Sequence, residues 1–485
     1  MPRIRETSPL FFDASLPDAE HWQEEKSPEQ RIPARTREIL EKSGHRTFEE
    51  SEGLLQERLA STQRRKARGE GRLSSARTID ELKAEPSEKK VLDGALAYLP
   101  IENDAVIINA SDAHGNFADL SVAIKTFIER KARGEKVYFN FSGDISSGDT
   151  DNIVPAMEAL SSLQARFPNE VTIETGNGDR RGTSLLLGYS REIAMRFAPE
   201  LHQLLENAAE QKVQEYANEQ KLEDAAQAAP VKKIAYGAEL ARLARLAGAK
   251  PSTATDFNRE YLAGLIKGMT GGRKSQILSE MVGGLGKQIE PLRAWEQQEA
   301  QAQNQEVLRQ ARRIYEYWQL ADKVMNEQPA LAVYRSPDAA VLATHSGFAA
   351  GGKTLTEVAY SPKVYDQATW NKLIHTDKGE KPGDTEKYGA FRSFDPIEQG
   401  RILENILPKN QPAVLVVGHN HGNFTERLPL SWGEALRVEN CVSSHKKRAG
   451  EQAAYVEIDV GKLAGSKTTP EDAIAFKKIS PEKHD

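Results

Sequence analysis

Apolar and polar positions change rhythm three times along the chain, near residues 96, 195 and 330. Between 96 and 195, short apolar runs alternate with longer segments of helical spacing. DAVIINASD (104–112) reads as a buried strand entering a loop. FADLSVAIKTFIERKARG (117–134) follows as a helix closed by Gly134. KVYFNFSGD, NIVPAMEALSSLQARF and VTIETGNGD repeat the alternation as strand, helix and strand. Such alternation predicts an α/β layer whose post-strand loops gather at one edge of a sheet.

From 196 to 330 the pattern becomes almost wholly helical, as in PELHQLLENAAEQKVQEYANEQ and QEVLRQARRIYEYWQLADKVM. Two Gly-rich stretches, GMTGGRKS and GGLGKQ, interrupt it. Neither has phosphate-loop spacing, so both are read as helix breaks. Strands resume with AAVLATHSGF and PAVLVVGHNHGN, and ALRVENCVSS and AAYVEIDV are expected to close the chain as a pair. Before residue 96 the chain is rich in Glu, Arg, Lys and Ser. Leu54, Leu55 and Leu59 recur there at helical spacing, with little else to build a core.

The expected organisation is therefore a charged, partly disordered helical extension (1–95), a core in two parts (96–195 and 331–462), a helical insertion (196–330) between them, and a tail (463–485). The extension is expected to be dispensable for chemistry. The insertion is a packing element or a platform for a protein partner.

Composition adds exclusions. The 485 residues carry a formal net charge of −6, which argues against nucleic-acid binding. A single cysteine, Cys441, excludes an internal disulfide and suits a reducing compartment. The N-terminal stretch lacks a secretory signal pattern, and the longest apolar runs are too short to span a membrane. A soluble, cytoplasmic protein is the expectation.

Candidate chemistry sits in five polar blocks, each after an apolar strand. SDAHGN offers Asp112 and His114, SGDISSGD offers Asp144, TGNGD offers Asn177, ATHSG offers His345, and VGHNHGN offers His419 and His421. Each block alone is an ordinary loop or cap. Together, carboxylate, imidazole and amide oxygen form a ligand set for two divalent cations, Mn²⁺ first, with Fe or Zn²⁺ as alternatives. Two cations about 3.5–4 Å apart would activate a bridging water for attack on a phosphate ester and neutralise the phosphoryl oxygens. Asp144, on the central loop, is the expected bridge. Asp112, His114 and His421 would complete one site, and Asn177, His345 and His419 the other.

In the order D-x-H, GD, GN, H and GHxH, these blocks resemble the calcineurin-like metallophosphoesterases across roughly residues 100–460, once the helical insertion is set aside. RVENCVSSHKKRAGEQAAYVEIDV is similar to the closing segment of the phosphoprotein phosphatases, whereas SDAHGN, GNGD and GHNH are closer to small bacterial phosphodiesterases. The resemblance implies a β-sandwich flanked by helices and a phosphatase acting on phosphorylated protein or a small phosphoester.

Two departures stand out. Ser147 and Gly148 occupy the positions of an Asp and an Arg in the phosphoprotein phosphatase pattern. Gly178 stands where that pattern has a histidine. The absent Asp and His form the dyad that protonates the leaving oxygen in that family. All metal-ligand positions are kept, so a different proton donor and a preference for phosphotyrosine over phosphoserine or phosphothreonine are expected. His445 is the candidate donor. Arg180, Arg181 or Arg392 is the candidate phosphate clamp, a role that suits a planar guanidinium. Asp149 and Asp179 are further candidate acids, though they read more readily as turn or supporting residues. A phosphodiesterase or nucleotide hydrolase, and a metal-binding pseudo-phosphatase scaffold, are the alternatives. The layout also suggests a bacterial effector delivered into a host cell without a signal peptide.

Overall fold

The structure, a computed structural model, describes residues 34, 36–146, 152–179, 183–186, 188–221, 229–250, 275–278, 281, 297–299, 301, 304–347, 354–360, 372–373, 393–394, 396–419, 421–443, 452–465 and 469–479. Its strands in chain order are β1 (Val91–Asp93), β2 (Leu96–Pro100), β3 (Val106–Ala110), β4 (Val137–Ser142), β5 (Val171–Glu174), β6 (Leu331–Arg335), β7 (Ala340–Thr344), β8 (Lys372–Leu373), β9 (Ser393–Phe394), β10 (Ala413–Val417), β11 (Phe424–Leu430), β12 (Gly433–Glu439), β13 (Ala454–Asp459) and β14 (Ile474–Lys478). The helices that matter below are α1 (Phe48–Gly69), α2 (Phe117–Ala132), α3 (Ile153–Arg166), α4 (Tyr189–Phe197), α5 (Pro199–Gln220), α6 (Ala229–Leu246), α7 (Gln305–Asn326), α8 (Leu355–Tyr360) and α9 (Pro396–Glu404).

Two mixed sheets carry the fold. The larger has the order β1-β2-β6-β7-β10-β12-β11, and the smaller β14-β13-β3-β4-β5. The strand alternation decides which residues lie between them. Ile107 and Val456 of the smaller sheet share one buried cluster with Val341, Val414 and Leu436 of the larger. Val171 and Ile173 of β5 instead face a second cluster with α2, α3 and the insertion helices. A third cluster covers the outer face of the larger sheet with Leu73, Ile79, Leu355 and Leu403. The result is a mixed α/β fold of two sheets flanked by helices, as the strand–helix alternation implied.

The ordering of strands differs from expectation at the C-terminal end. β12 pairs with β10 and β11, whereas β13 pairs with β3 and β14. The two segments read as a closing pair therefore belong to opposite sheets.

The sheets also reach past the residues assigned to the core. β1, at 91–93, pairs antiparallel with β2, and β14 pairs with β13 beyond residue 463. Helix α1 is amphipathic rather than solvated. It begins with a capping box in which Thr47 and Glu50 satisfy each other's backbone N–H. It then buries Phe48, Leu55 and Leu59 against α3 and α7. Among the described residues, no helix is long and apolar enough to cross a membrane.

In the insertion, α5, α6 and α7 pack on one another and on α1 and α4. The stretch GGLGKQ lies outside the described residues, as does GMTGGRKS apart from Ser275.

Candidate metal centre

The C-terminal ends of β3, β4 and β5 in one sheet meet those of β7 and β10 in the other. Asp112 and His114 follow β3, Asp144 follows β4, and Asn177 follows β5. His345 follows β7, and His419 and His421 follow β10. Glycines let these loops interlock. A Cβ at Gly176 would lie 2.2 Å from both the backbone N and Oδ1 of Asp144, and one at Gly418 would lie 2.2 Å from Asp112 Oδ2. Backbone bonds staple the loops: Asp112 N–H to Gly143 O (3.0 Å), His114 N–H to Asp144 O (2.9 Å) and Gly418 N–H to His345 O (2.9 Å).

Backbone strain collects at the same place. Seven non-glycine residues among those described have positive φ, and five of them are Asp112, His114, Asp144, His419 and His421. Each such residue costs on the order of 1–3 kcal/mol, which surrounding hydrogen bonds must hold in place.

The side chains form two adjoining groups, Asp112–His114–His421 and Asp144–His345–His419, either of which could hold a metal ion. In the first, the Nε2 atoms of His114 and His421 are 3.0 Å apart, and Asp112 Oδ1 lies 3.7 and 3.6 Å from them. In the second, Asn177 Oδ1 lies 2.8 Å from His345 Nε2 and 3.0 Å from His419 Nδ1. Asp144 stands between the groups, with Oδ2 4.0 Å from His114 Nε2 and Oδ1 3.5 Å from His345 Nε2. Asp112 and His345 are fully buried and His114 nearly so, while Asn177, His419 and His421 are half-buried, the side chain of His421 being 33% exposed, so the accessible side of the group runs along these three residues.

Electrostatics follow from that burial. Desolvation holds the His419 imidazole well below its usual range, aided by the neighbouring histidines, so the ring is neutral and has a lone pair to offer. Desolvation raises the Asp144 carboxyl, opposed by His345 and His114. For Asp112, burial pushes the carboxyl upward, but the interaction with His114 and the surrounding imidazoles outweighs it and holds the group below its usual range.

Supporting residues complete the geometry. Asp112 accepts from the His419 backbone N–H through both oxygens, at 3.0 and 2.9 Å. Gly422 N–H donates to Glu439 Oε1 (3.0 Å), and Glu439 is paired with the fully buried Arg437. Asn423 donates to Cys441 O and Gln452 O and accepts from Cys441 N–H, tying the loop after His421 to the segment between the sheets.

All seven residues expected to bind metal are thus brought together. His445, Arg180, Arg181, Arg392, Asp149, Ser147 and Gly148 lie outside the described residues. Glu439, Arg437 and Asn423 were not singled out in the sequence. Their signal was faint, since only the direct run-on from HNH into GN hinted that the loop needed a brace.

No protein-family model matches the chain, and no curated protein matches it. A solved structure of a protein serine/threonine phosphatase from Saccharomyces cerevisiae, with similarity to human phosphatase PP5, aligns over 80% of this chain and 85% of its own. The identity is 11% and the TM-score 0.39. The chemistry therefore has to be read from the side chains themselves.

Proposed function

We propose that the chain is a dinuclear metal-dependent phosphatase that hydrolyses phosphomonoesters, with phosphorylated protein as the substrate class. One observation carries the reading. His345 Nδ1 lies 2.7 Å from Ser142 O, a carbonyl that can only accept, so the ring proton sits on Nδ1. Its Nε2 lone pair then points at Asn177 Oδ1, also an acceptor, with Asp144 Oδ1 close by. With the ring neutral, three acceptors converge there, and a divalent cation among them would satisfy all three. The Nδ1–H to carbonyl bond is also the usual outer partner of a ligating histidine.

Under this reading Asp112, His114 and His421 would hold one cation and Asn177, His345 and His419 the other, with Asp144 available to both. Such a pair of divalent cations, when bound, supplies a nucleophile from water at neutral pH and neutralises phosphoryl oxygens. The chain's own residues do the rest. Burial keeps His419 neutral, the Ser142 carbonyl orients His345, and the exposed side of His421 marks where an ester enters.

Leaving-group protonation separates substrates. Position 178 is glycine, and Asp179 is occupied by five hydrogen bonds, so neither supplies a proton. Loss of a general acid costs about 10²–10⁴ in rate, and least for a good leaving group. Aryl esters such as phosphotyrosine are therefore the favoured monoesters. With its amide turned about, Asn177 would donate to both rings, and the cluster would close without a cation, as in a scaffold.

Metal analysis with paired assays tests the reading. The purified chain is expected to hold Mn²⁺, to hydrolyse p-nitrophenyl phosphate faster than its bis ester, and to turn over a phosphotyrosine peptide faster than the matched phosphoserine peptide. A faster bis ester would make it a diesterase. Bound metal without any hydrolysis would make it a scaffold.

A further inference from the structure

The contacts of the Asp179 side chain are denser than a turn residue requires. The residue is 1% exposed and both carboxylate oxygens are saturated. Oδ2 accepts from the N–H groups of Asp144 (2.7 Å) and Gly176 (3.0 Å). Oδ1 accepts from Ile145 N–H (2.9 Å), Ser146 N–H (2.8 Å) and the Ser146 hydroxyl (2.8 Å). Ser146 Oγ also lies 2.9 Å from Gly178 O. One carboxylate thus gathers the turn after β4 and the turn after β5.

The consequence falls on Asp144. Its φ of +63° is a conformation that L-residues rarely adopt, and three consecutive N–H groups beginning at this residue point at Asp179. Gly178 N–H then donates to Asp144 Oδ1 at 2.8 Å, closing the loop in the other direction. A buried anion accepting five bonds is among the stronger devices for holding backbone. The guanidinium of Arg58, buried in α1, lies near enough for its charge to complement that of Asp179.

We propose that Asp179 is the positioning residue of this centre: it locks the strained Asp144 turn so that one carboxylate serves both metal groups at once. The proposal rests on the dinuclear reading above. It also gives the GNGD block a reason for ending in aspartate: Gly178 stands where the proton-donating histidine is missing, and the next residue shapes the shared ligand.

The test uses the full chain loaded with two equivalents of Mn²⁺ and read by electron paramagnetic resonance, beside kcat and KM on p-nitrophenyl phosphate. Wild type should show the signal of an exchange-coupled Mn²⁺ pair. Asp179→Asn keeps the shape but turns an amide N–H₂ toward backbone donors. It should lose the coupled signal, and kcat should fall about 10–100-fold, as for other partners that orient metal ligands, with KM little changed. Ser146→Ala removes a single bond to the same carboxylate and should move both readouts the same way by a smaller factor, which keeps the test alive should Asp179→Asn not fold. A variant that melts earlier yet retains the coupled signal and kcat overturns the proposal and leaves the dinuclear reading standing. Absence of a coupled pair in wild type overturns the dinuclear reading itself, before any variant is compared.

Discussion

At the scale of single residues, the convergence of the seven side chains depends on hydrogen atoms that leave room for them. Gly418 shows this requirement. Its missing Cβ would sit 2.2 Å from Asp112 Oδ2 and 2.8 Å from Ser111 Oγ. Gly418→Ala should therefore displace the Asp112 carboxylate and weaken metal binding about 10–100-fold while the chain stays folded, read by calorimetric titration with Mn²⁺. Unchanged affinity would mean that Asp112 is free to move. The seven polar residues were legible because each follows an apolar strand and belongs to a metal-ligand type. The Gly418 contact was not legible, since it arises between residues 306 apart that meet only when both sheets are assembled. The five bonds to Asp179 were hidden for a similar reason: a carboxylate in the loop just past a strand resembles a common turn residue.

At the scale of elements, helix α1 departs furthest from expectation. Its charge and scattered leucines suggested a solvated extension, yet Leu55 is fully buried and Arg58 sits 2% exposed between α3 and α7. Arg58 donates to Gln164 Oε1 (2.8 Å) and Ser161 Oγ (3.0 Å) of α3. Burial lowers its pKa to about 9, against the pull of Asp179. Sequence pattern could not reveal this, because the apolar stripe of α1 is narrow and becomes a core face only beside α3 and α7. Leu55→Ala should cost about 2–5 kcal/mol of stability, measured by urea unfolding, with activity on a small aryl phosphate retained in the folded fraction. Removing residues 1–69 should abolish that activity by unfolding the cluster around α3. Full activity after such a truncation would show that α1 is dispensable, as its composition first suggested.

At the scale of the whole molecule, the centre is where two sheets meet, and cations bound there would fasten one sheet to the other. Metal should raise the melting temperature of wild type, by about 2.7 kcal/mol of stability at one hundred times the dissociation constant, and a chelator should reverse it. The two sheets also enclose Glu174 at the end of β5, opposite Ser142 in the strand register. It is fully buried. Burial raises its pKa well above 4.5, so the folded state favours the protonated form. Its contribution is fully present below the unfolded pKa and declines as pH rises toward the folded value. Wild type should thus lose more stability than Glu174→Gln as the pH is raised from about 4.5 toward neutrality. Parallel melting curves for the two would contradict this. The alternation of strand and helix announced the two-layer plan, but which strand joined which sheet depended on pairings that no local pattern encodes, as β12 and β13 show.

Under the proposed function, seven residues from two sheets would hold a pair of cations with Asp144 shared between them. Metal stoichiometry of the purified chain and of Asp144→Ala, measured by mass spectrometry after equilibration with Mn²⁺, tests it most directly. Two ions per wild-type chain and fewer than one in the variant is the expected outcome. A wild-type chain without metal, or a variant that retains both ions, would contradict it.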